Sequence, residues 1–139
     1  MKIIAEIGWN HMGDMDLAKT MIDSAINSGA NVVKFQYWNP TYLTKGDWDK
    51  DGRRQIYEQA ALDLEKVRKL NDFVDNAGGE FLISVFGTYG AKDIHSIGLS
   101  NIKIPSHETT NLRLIEFCAN NFDYIYFSAG ASLEKDVIN

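Results

Sequence analysis

Charged and polar residues lie near the carboxyl end of each apolar run that is predicted to form a strand. Lys34 and Lys103 both alternate with apolar neighbours, and Glu6 lies between Ala5 and Ile7. Side chains alternate between the two faces of a strand, and two lysines buried together are strongly unfavourable unless an anion lies between them. Hydroxyl and amide side chains complete this set: Gln36, Ser84 and Ser128.

Lysine supplies a point charge and hydroxyl groups supply directional donors, so the set predicts a ligand that carries a phosphate or a carboxylate. For any one of these residues, the alternative is a side chain that simply points to solvent. A second polar group runs from Ser106 to Asn111. Asn111 is predicted to cap the following helix, whereas Glu108 is harder to explain by capping. For His11 and His107, three roles are open: metal ligand, acid/base group or ordinary loop residue.

The elements that position these residues alternate between strand and helix along the whole chain. Apolar runs predict five strands that start near residues 3, 32, 80, 101 and 124. This order is typical of a parallel sheet with helical crossovers, in which ligands bind at the carboxyl ends of the strands. Either an open doubly wound sheet or part of a (β/α)8 barrel fits the pattern. No glycine-rich dinucleotide fingerprint or Walker-type loop follows any strand.

Helix boundaries follow from caps and apolar spacing. Asp14 or Asp16 is predicted to start the first helix, and Gly29 to stop it. A long polar loop is predicted over 38–52, since Asn, Pro, Thr, Gly and Asp are frequent there. Further helices are predicted over 62–77, 91–97 and 112–119, with another starting at Ser132.

Composition limits the possible partners. The 139 residues carry a net charge of −5, which does not favour a general role on nucleic acid or at a membrane surface. Cys118 is the single cysteine and is predicted to be a buried thiol. The sequence shows neither a membrane-spanning run nor a signal peptide, and a cytoplasmic location is expected.

Five motifs, in matching order and spacing, resemble the N-acetylneuraminate (sialic acid) synthase family, which includes the legionaminic and pseudaminic acid synthases. The first motif runs from Ala5 to Asp14, and the second is Val33-Lys34-Phe35-Gln36. The others are Glu80-Phe81-Leu82 with Ser84 and Phe86, Ile102–Ser106 through Asn111, and Phe127-Ser128-Ala129-Gly130. Departures from the family pattern are Ile83-Ser84-Val85-Phe86, His107 and Ser128-Ala129-Gly130-Ala131.

The resemblance implies an α/β fold, a partial TIM (β/α)8 barrel made of about the first four to five βα units. Residues 1–139 would be the N-terminal portion of the synthase domain, without the C-terminal half-barrel and the antifreeze-like domain. The implied reaction condenses phosphoenolpyruvate with an N-acetylated aminosugar of the N-acetylmannosamine type, giving a nonulosonic acid and phosphate. The full-length form is expected to be a homodimer.

By the same resemblance, Lys34 and Lys103 hold the phosphate and carboxylate of phosphoenolpyruvate, and Glu6 and Glu108 are acid/base candidates. The implied substrate-binding side chains are Gln36, Ser84, Ser106 and Ser128. A divalent metal, Mn2+ or Mg2+, would polarise the sugar aldehyde, with its histidine ligands beyond Asn139. Two alternatives stay open: a non-catalytic half-barrel that binds an anion or self-associates, and another phosphoenolpyruvate-condensing synthase that acts on a phosphosugar.

Overall fold

The computed structural model describes residues 1–133 and confirms the predicted alternation of strands and helices. The strands are β1 (Ile4–Gly8), β2 (Val32–Tyr37), β3 (Glu80–Val85), β4 (Asn101–Ile104) and β5 (Tyr124–Phe127). The helices are α1 (Met15–Asn27), α2 (Arg53–Ala60), α3 (Leu64–Asn76), α4 (Gly87–Ser96) and α5 (Leu112–Asn121). The chain forms two compact units, Met1–Phe81 and a second that begins at Leu82, so the boundary falls inside β3.

In the first unit, β1 and β2 pair in parallel. Glu6 lies opposite Lys34, and an irregularity after Glu6 brings Gly8 opposite Phe35. Val32 through Phe35 are all buried, as expected for a parallel strand covered on both faces. Lys34 is therefore carried by a strand that belongs to the core.

In the second unit, β3, β4 and β5 also pair in parallel. Ser84 of β3 lies opposite Lys103 of β4, and Lys103 lies opposite Tyr126 of β5. Ile102 and Ile104 are fully buried, whereas Asn101 and Lys103 are partly exposed, so the predicted alternation along this strand is confirmed. Lys103 thus lies on the less buried face of β4.

Local sequence signals account for several helix ends. The Asp14 side chain accepts hydrogen bonds from the backbone N–H groups of Asp16 and Leu17, which confirms the predicted N-cap of α1. The Asn111 side chain accepts from the Leu114 N–H, which confirms the cap of α5. Cys118 in α5 is buried as predicted, and its burial raises the pKa of the thiol to about 11.

The polar loop predicted over 38–52 is confirmed between β2 and α2, and it contains two 3-10 turns, Pro40–Tyr42 and Asp47–Asp49. Other predictions were wrong, and helix α2 itself was not predicted. Leu62 is buried but precedes the Asp63 cap, so it is not part of α3. The fourth helix begins at Gly87, four residues before the predicted start at Ala91. The prediction began too late because the first turn has too few apolar residues to show a helical period. The helix predicted from Ser132 lies largely outside the described residues.

Candidate functional site

The first group of predicted site residues, named here the Glu6 cluster, consists of Glu6, Lys34 and Gln36 around Gly8. The Lys34 ammonium forms an ion pair with the Glu6 carboxylate. The Lys34 side chain is only 10% exposed, whereas that of Glu6 is 46% exposed. Removing an ammonium group from water is costly without an anionic partner, and Glu6 supplies one. The cluster therefore joins a buried cation to a carboxylate that reaches solvent.

Gly8 gives the Glu6 cluster its shape. A Cβ atom on Gly8 would lie 3.2 Å from Glu6 Oε1 and 3.6 Å from Gln36 Nε2, so both side chains border the space that glycine leaves open. Its φ of +60° is in the left-handed region, where a larger residue is strained. Gln36 is half-buried, so its amide can present hydrogen-bond donors beside the carboxylate.

An aromatic group centred on Tyr57, named here the Tyr57 cluster, covers the loops that follow β1 and β2. Trp9 stacks on the Tyr57 ring, with centroids 5.3 Å apart, and Trp38 and Trp48 meet the same ring edge-on. The Trp38 indole N–H donates to the Tyr57 carbonyl oxygen at 3.1 Å. The three tryptophans of these loops therefore pack around a single residue of α2.

A backbone contact joins the loop after β1 to the end of α2. Gly13 has a φ of +83°, and a Cβ atom there would overlap the backbone carbonyl oxygen of Gln59. Only glycine allows this approach. The loop that follows Glu6 therefore packs against the end of α2, the helix that follows Lys34 and Gln36 in the chain.

His11 lies inside this same loop and is fully buried. Its Nδ1 accepts a hydrogen bond from the Gly13 N–H at 3.0 Å. Its Nε2 is buried without a hydrogen-bond partner among the described residues. Burial, and to a lesser degree the charge of Lys66, lowers the pKa of His11, although Asp14 opposes the shift. Of the three roles left open by the sequence, these contacts fit a neutral loop residue that fixes the backbone.

The second group, named here the Glu108 cluster, is held together by hydrogen bonds. Glu108 Oε1 accepts from the backbone N–H of Gly87 at 2.9 Å, and Oε2 accepts from the Asn111 amide at 2.8 Å. Asn111 uses its other side-chain atom, Oδ1, to accept from the Leu114 N–H at 3.2 Å. Both oxygens of the Glu108 carboxylate are therefore oriented by neutral donors.

The predicted serines of the second unit lie at or after the carboxyl ends of its strands. Ser84 is only 3% exposed and lies opposite Lys103, whereas Ser106 and Ser128 are half-buried. The Ser128 N–H donates to the Ile104 carbonyl oxygen at 3.1 Å, which keeps Ser128 beside the end of β4. The carboxyl ends of these parallel strands thus carry the hydroxyl groups that the sequence singled out.

Sequence reasoning missed three residues that organise these clusters: Tyr57, Gly13 and Gly87. Gly87 directly follows the β3 motif, and its φ of +69° is a signal that only the backbone reveals. In residues 1–133, no group of three or more histidine, cysteine, aspartate or glutamate side chains is placed to hold a metal ion. Within that range, no helix is long and apolar enough to cross a membrane.

Comparison with solved structures shows which class of protein the chain is similar to. Over 97% of its length the chain superposes, with a TM-score of 0.87 and 27% identity, on an N-acetylneuraminic acid (sialic acid) synthetase from Leptospira borgpetersenii that was crystallised with citrate. It superposes with a TM-score of 0.75 and 32% identity on the spore coat polysaccharide biosynthesis protein SpsE of Bacillus subtilis. The predicted fold class, α/β with the strand–helix order of a partial TIM barrel, is confirmed.

The family follows from the sequence. The NeuB family model matches residues 21–139, and the chain belongs to the NeuB family. It is 33% identical to the N,N'-diacetyllegionaminic acid synthase of Legionella pneumophila over 92% of its own length and 39% of that protein's. The human N-acetylneuraminate-9-phosphate synthase is 29% identical over 92% of the chain and 38% of its own length. The chain thus spans about two fifths of the curated relatives it matches.

Proposed function

We propose that the complete protein condenses phosphoenolpyruvate with an N-acetylated aminosugar to form a nonulosonic acid. The observation that carries the proposal is Lys34, a nearly buried ammonium in the middle of β2 beside the Glu6 carboxylate. Membership of the NeuB family supports it, since curated relatives of the chain are named legionaminic, pseudaminic and N-acetylneuraminate-9-phosphate synthases.

In the proposed reaction, C3 of phosphoenolpyruvate attacks the aldehyde carbon of the open-chain sugar and a carbon–carbon bond forms. Water adds at C2, the C2–O bond to the phosphoryl group breaks, and inorganic phosphate leaves. The attacking water gives up two protons, of which one ends on the aldehyde oxygen and the other on the departing phosphate. The overall balance is one phosphoenolpyruvate, one sugar and one water for one nonulosonic acid and one phosphate.

Lys34 and Lys103 are proposed to bind the anionic groups of phosphoenolpyruvate. An ammonium group has three N–H donors, so Lys34 can contact Glu6 and a phosphate or carboxylate together. Ser84, Ser106 and Ser128 are proposed to donate hydrogen bonds to the same ligand. Stabilisation of developing charge by such fixed groups is usually the largest catalytic contribution.

Glu6 and Glu108 are proposed to move protons. Glu108 is suited to accept a proton from water because two neutral donors fix its orientation and leave its charge in place. Glu6 shares its carboxylate with Lys34, and Gln36, whose amide adjoins Glu6, is proposed to help orient the substrates.

The resemblance also implies Mn2+ or Mg2+. The described residues provide no matching group of ligands, so no step is assigned to a metal. The proposed cytoplasmic location and homodimeric assembly stay predictions.

The test is phosphate release by the complete gene product. Phosphoenolpyruvate is supplied with N-acetylmannosamine, a diacetamido sugar, N-acetylmannosamine 6-phosphate or arabinose 5-phosphate, in the presence of Mn2+ or Mg2+. We expect release with at least one N-acetylated aminosugar and none without it. Release with arabinose 5-phosphate alone would support the phosphosugar alternative. Binding of phosphoenolpyruvate without any release would support the non-catalytic, anion-binding alternative.

A further inference from the structure

We propose that Asn111 is a positioning residue that orients the Glu108 carboxylate for proton transfer; this inference rests on the proposed function. Asn111 lies three residues after Glu108, and its backbone N–H donates to the Glu108 carbonyl oxygen at 2.9 Å. The tight turn places the Asn111 amide beside the Glu108 side chain. The amide Nδ2 then donates to Glu108 Oε2 at 2.8 Å.

Asn111 has two separable roles because its side chain has two different ends. Oδ1 accepts from the Leu114 N–H and caps α5, whereas Nδ2 donates to Glu108. Capping needs only an acceptor, and Ser and Asp cap helices about as well as Asn. Nothing in the capping role explains the need for an amide donor. The choice of asparagine at position 111 is therefore explained by Glu108.

The other oxygen of Glu108 is anchored independently. Oε1 accepts from the N–H of Gly87, the first residue of α4, and Phe86 provides no side-chain cap for that helix. The two anchors restrain the carboxylate at both oxygens. Without the Asn111 donor, the Gly87 bond alone restrains the carboxylate, so the carboxylate can swing away and weaken that bond. A displacement of about 1 Å can cost roughly 100-fold in rate.

The deciding variant is Asn111→Asp in the complete protein. Aspartate keeps the cap oxygen but removes the donor and sets a second negative charge against Glu108. We expect kcat to fall roughly 10- to 100-fold, with the KM for phosphoenolpyruvate changing by no more than about twofold. The melting temperature should stay within about 2 °C, because the cap is retained. Asn111→Ser also keeps a cap oxygen but adds no charge, and its kcat should fall as well.

The matched control is Asn71→Asp. Asn71 of α3 also donates its amide to a carboxylate, that of Asp75 at 3.1 Å, but this bond is exposed. The same change there should leave kcat and KM as in the wild type. Wild-type kcat in both Asn111→Asp and Asn111→Ser would overturn the proposal.

A second readout does not need activity. If Asn111 orients Glu108, the Gly87 N–H loses part of its protection when the carboxylate moves. Hydrogen exchange of the Gly87 amide should then be about tenfold faster in Asn111→Asp and unchanged in Asn71→Asp. Unchanged Gly87 exchange in Asn111→Asp would contradict the positioning role even if the wild type released no phosphate, whereas an inactive wild type with faster exchange would contradict only the proposed function.

Discussion

The Glu6 cluster and the Glu108 cluster hold their carboxylates by different means. Glu6 is neutralised by Lys34, a residue 28 positions later in the chain, and the surrounding loops are held by packing on Tyr57 and Gln59. Glu108 is held by neutral N–H donors from Gly87 and Asn111, with no charged partner among those bonds. The first arrangement fixes a charge pair, and the second fixes a single charge.

The difference bears on what each carboxylate can do. The Glu6 carboxylate has a cation beside it, so the field that it exerts on a bound substrate is nearly balanced by Lys34. A carboxylate held by neutral donors keeps its net charge, so it is suited to accepting a proton.

The largest expected effect comes from the lysines. Lys34→Ala and Lys103→Ala in the complete protein should each lower kcat/KM by roughly 100- to 1000-fold, because each removes a fixed positive charge from the proposed phosphoenolpyruvate site. Phosphate release measures this. Lys69→Ala is the control, since Lys69 only pairs with Glu65 on the exposed surface of α3. Near-normal kinetics in both lysine variants would contradict the proposed roles.

A smaller effect is expected where the first unit depends on long-range packing. Gly29→Ala should cost about 1–2 kcal/mol, because the φ of Gly29 is +94° with open space around it. Gly13→Ala should cost about 2 kcal/mol more, since its Cβ would also overlap the Gln59 carbonyl. Urea unfolding followed by circular dichroism measures both. Equal losses would show that the contact with Gln59 contributes nothing.

The two carboxylates should also differ in their effect on stability. Glu6→Gln removes the counter-charge of a nearly buried ammonium and should cost about 1–2 kcal/mol, reduced from a fully buried pair because Glu6 is half-exposed. Glu108→Gln keeps one acceptor oxygen, but its NH2 group would face the other donor, and the change should cost about 1 kcal/mol. The free energies of unfolding of the two variants test the order. The reverse order would mean that hydrogen bonds, not the ion pair, dominate.

The smallest expected effect is a pH dependence that belongs to the first unit. The pKa of folded His11 lies below its ordinary value of 6.5, so the unfolded state binds the proton first. The free energy of unfolding should therefore be constant above about pH 7.5, where neither state binds the proton, and decline as the pH falls through 6.5 towards the lowered pKa. His11→Asn should remove this slope between about pH 5 and 7, where carboxylates contribute little. An identical slope in that variant would exclude His11 as its source.

The features that the sequence predicted are those with local causes. Asp14 and Asn111 were recognisable as caps because each donor lies two or three residues away. Lys34 and Lys103 stood out because apolar residues flank each of them in a strand. Helix α2 was missed because it has only one buried residue, Ala60, and so no apolar stripe to reveal it.

The rest depended on contacts between distant parts of the chain. Trp9 and Tyr57 are 48 positions apart, and neither the loop of Trp9 nor helix α2 carries a local signal of their stacking. The bond from Gly87 to Glu108 joins the first residue of α4 to a turn 21 residues later. Each of these contacts can be recognised only in the folded structure.

The Tyr57 cluster also allows the two units to be distinguished by tryptophan fluorescence. The chain has three tryptophans, and all of them belong to this cluster in the first unit. Tryptophan emission therefore reports on the surroundings of Glu6 and Lys34, while the second unit contributes only tyrosine and phenylalanine signals. A ligand that perturbs one unit can then be recognised without any introduced label.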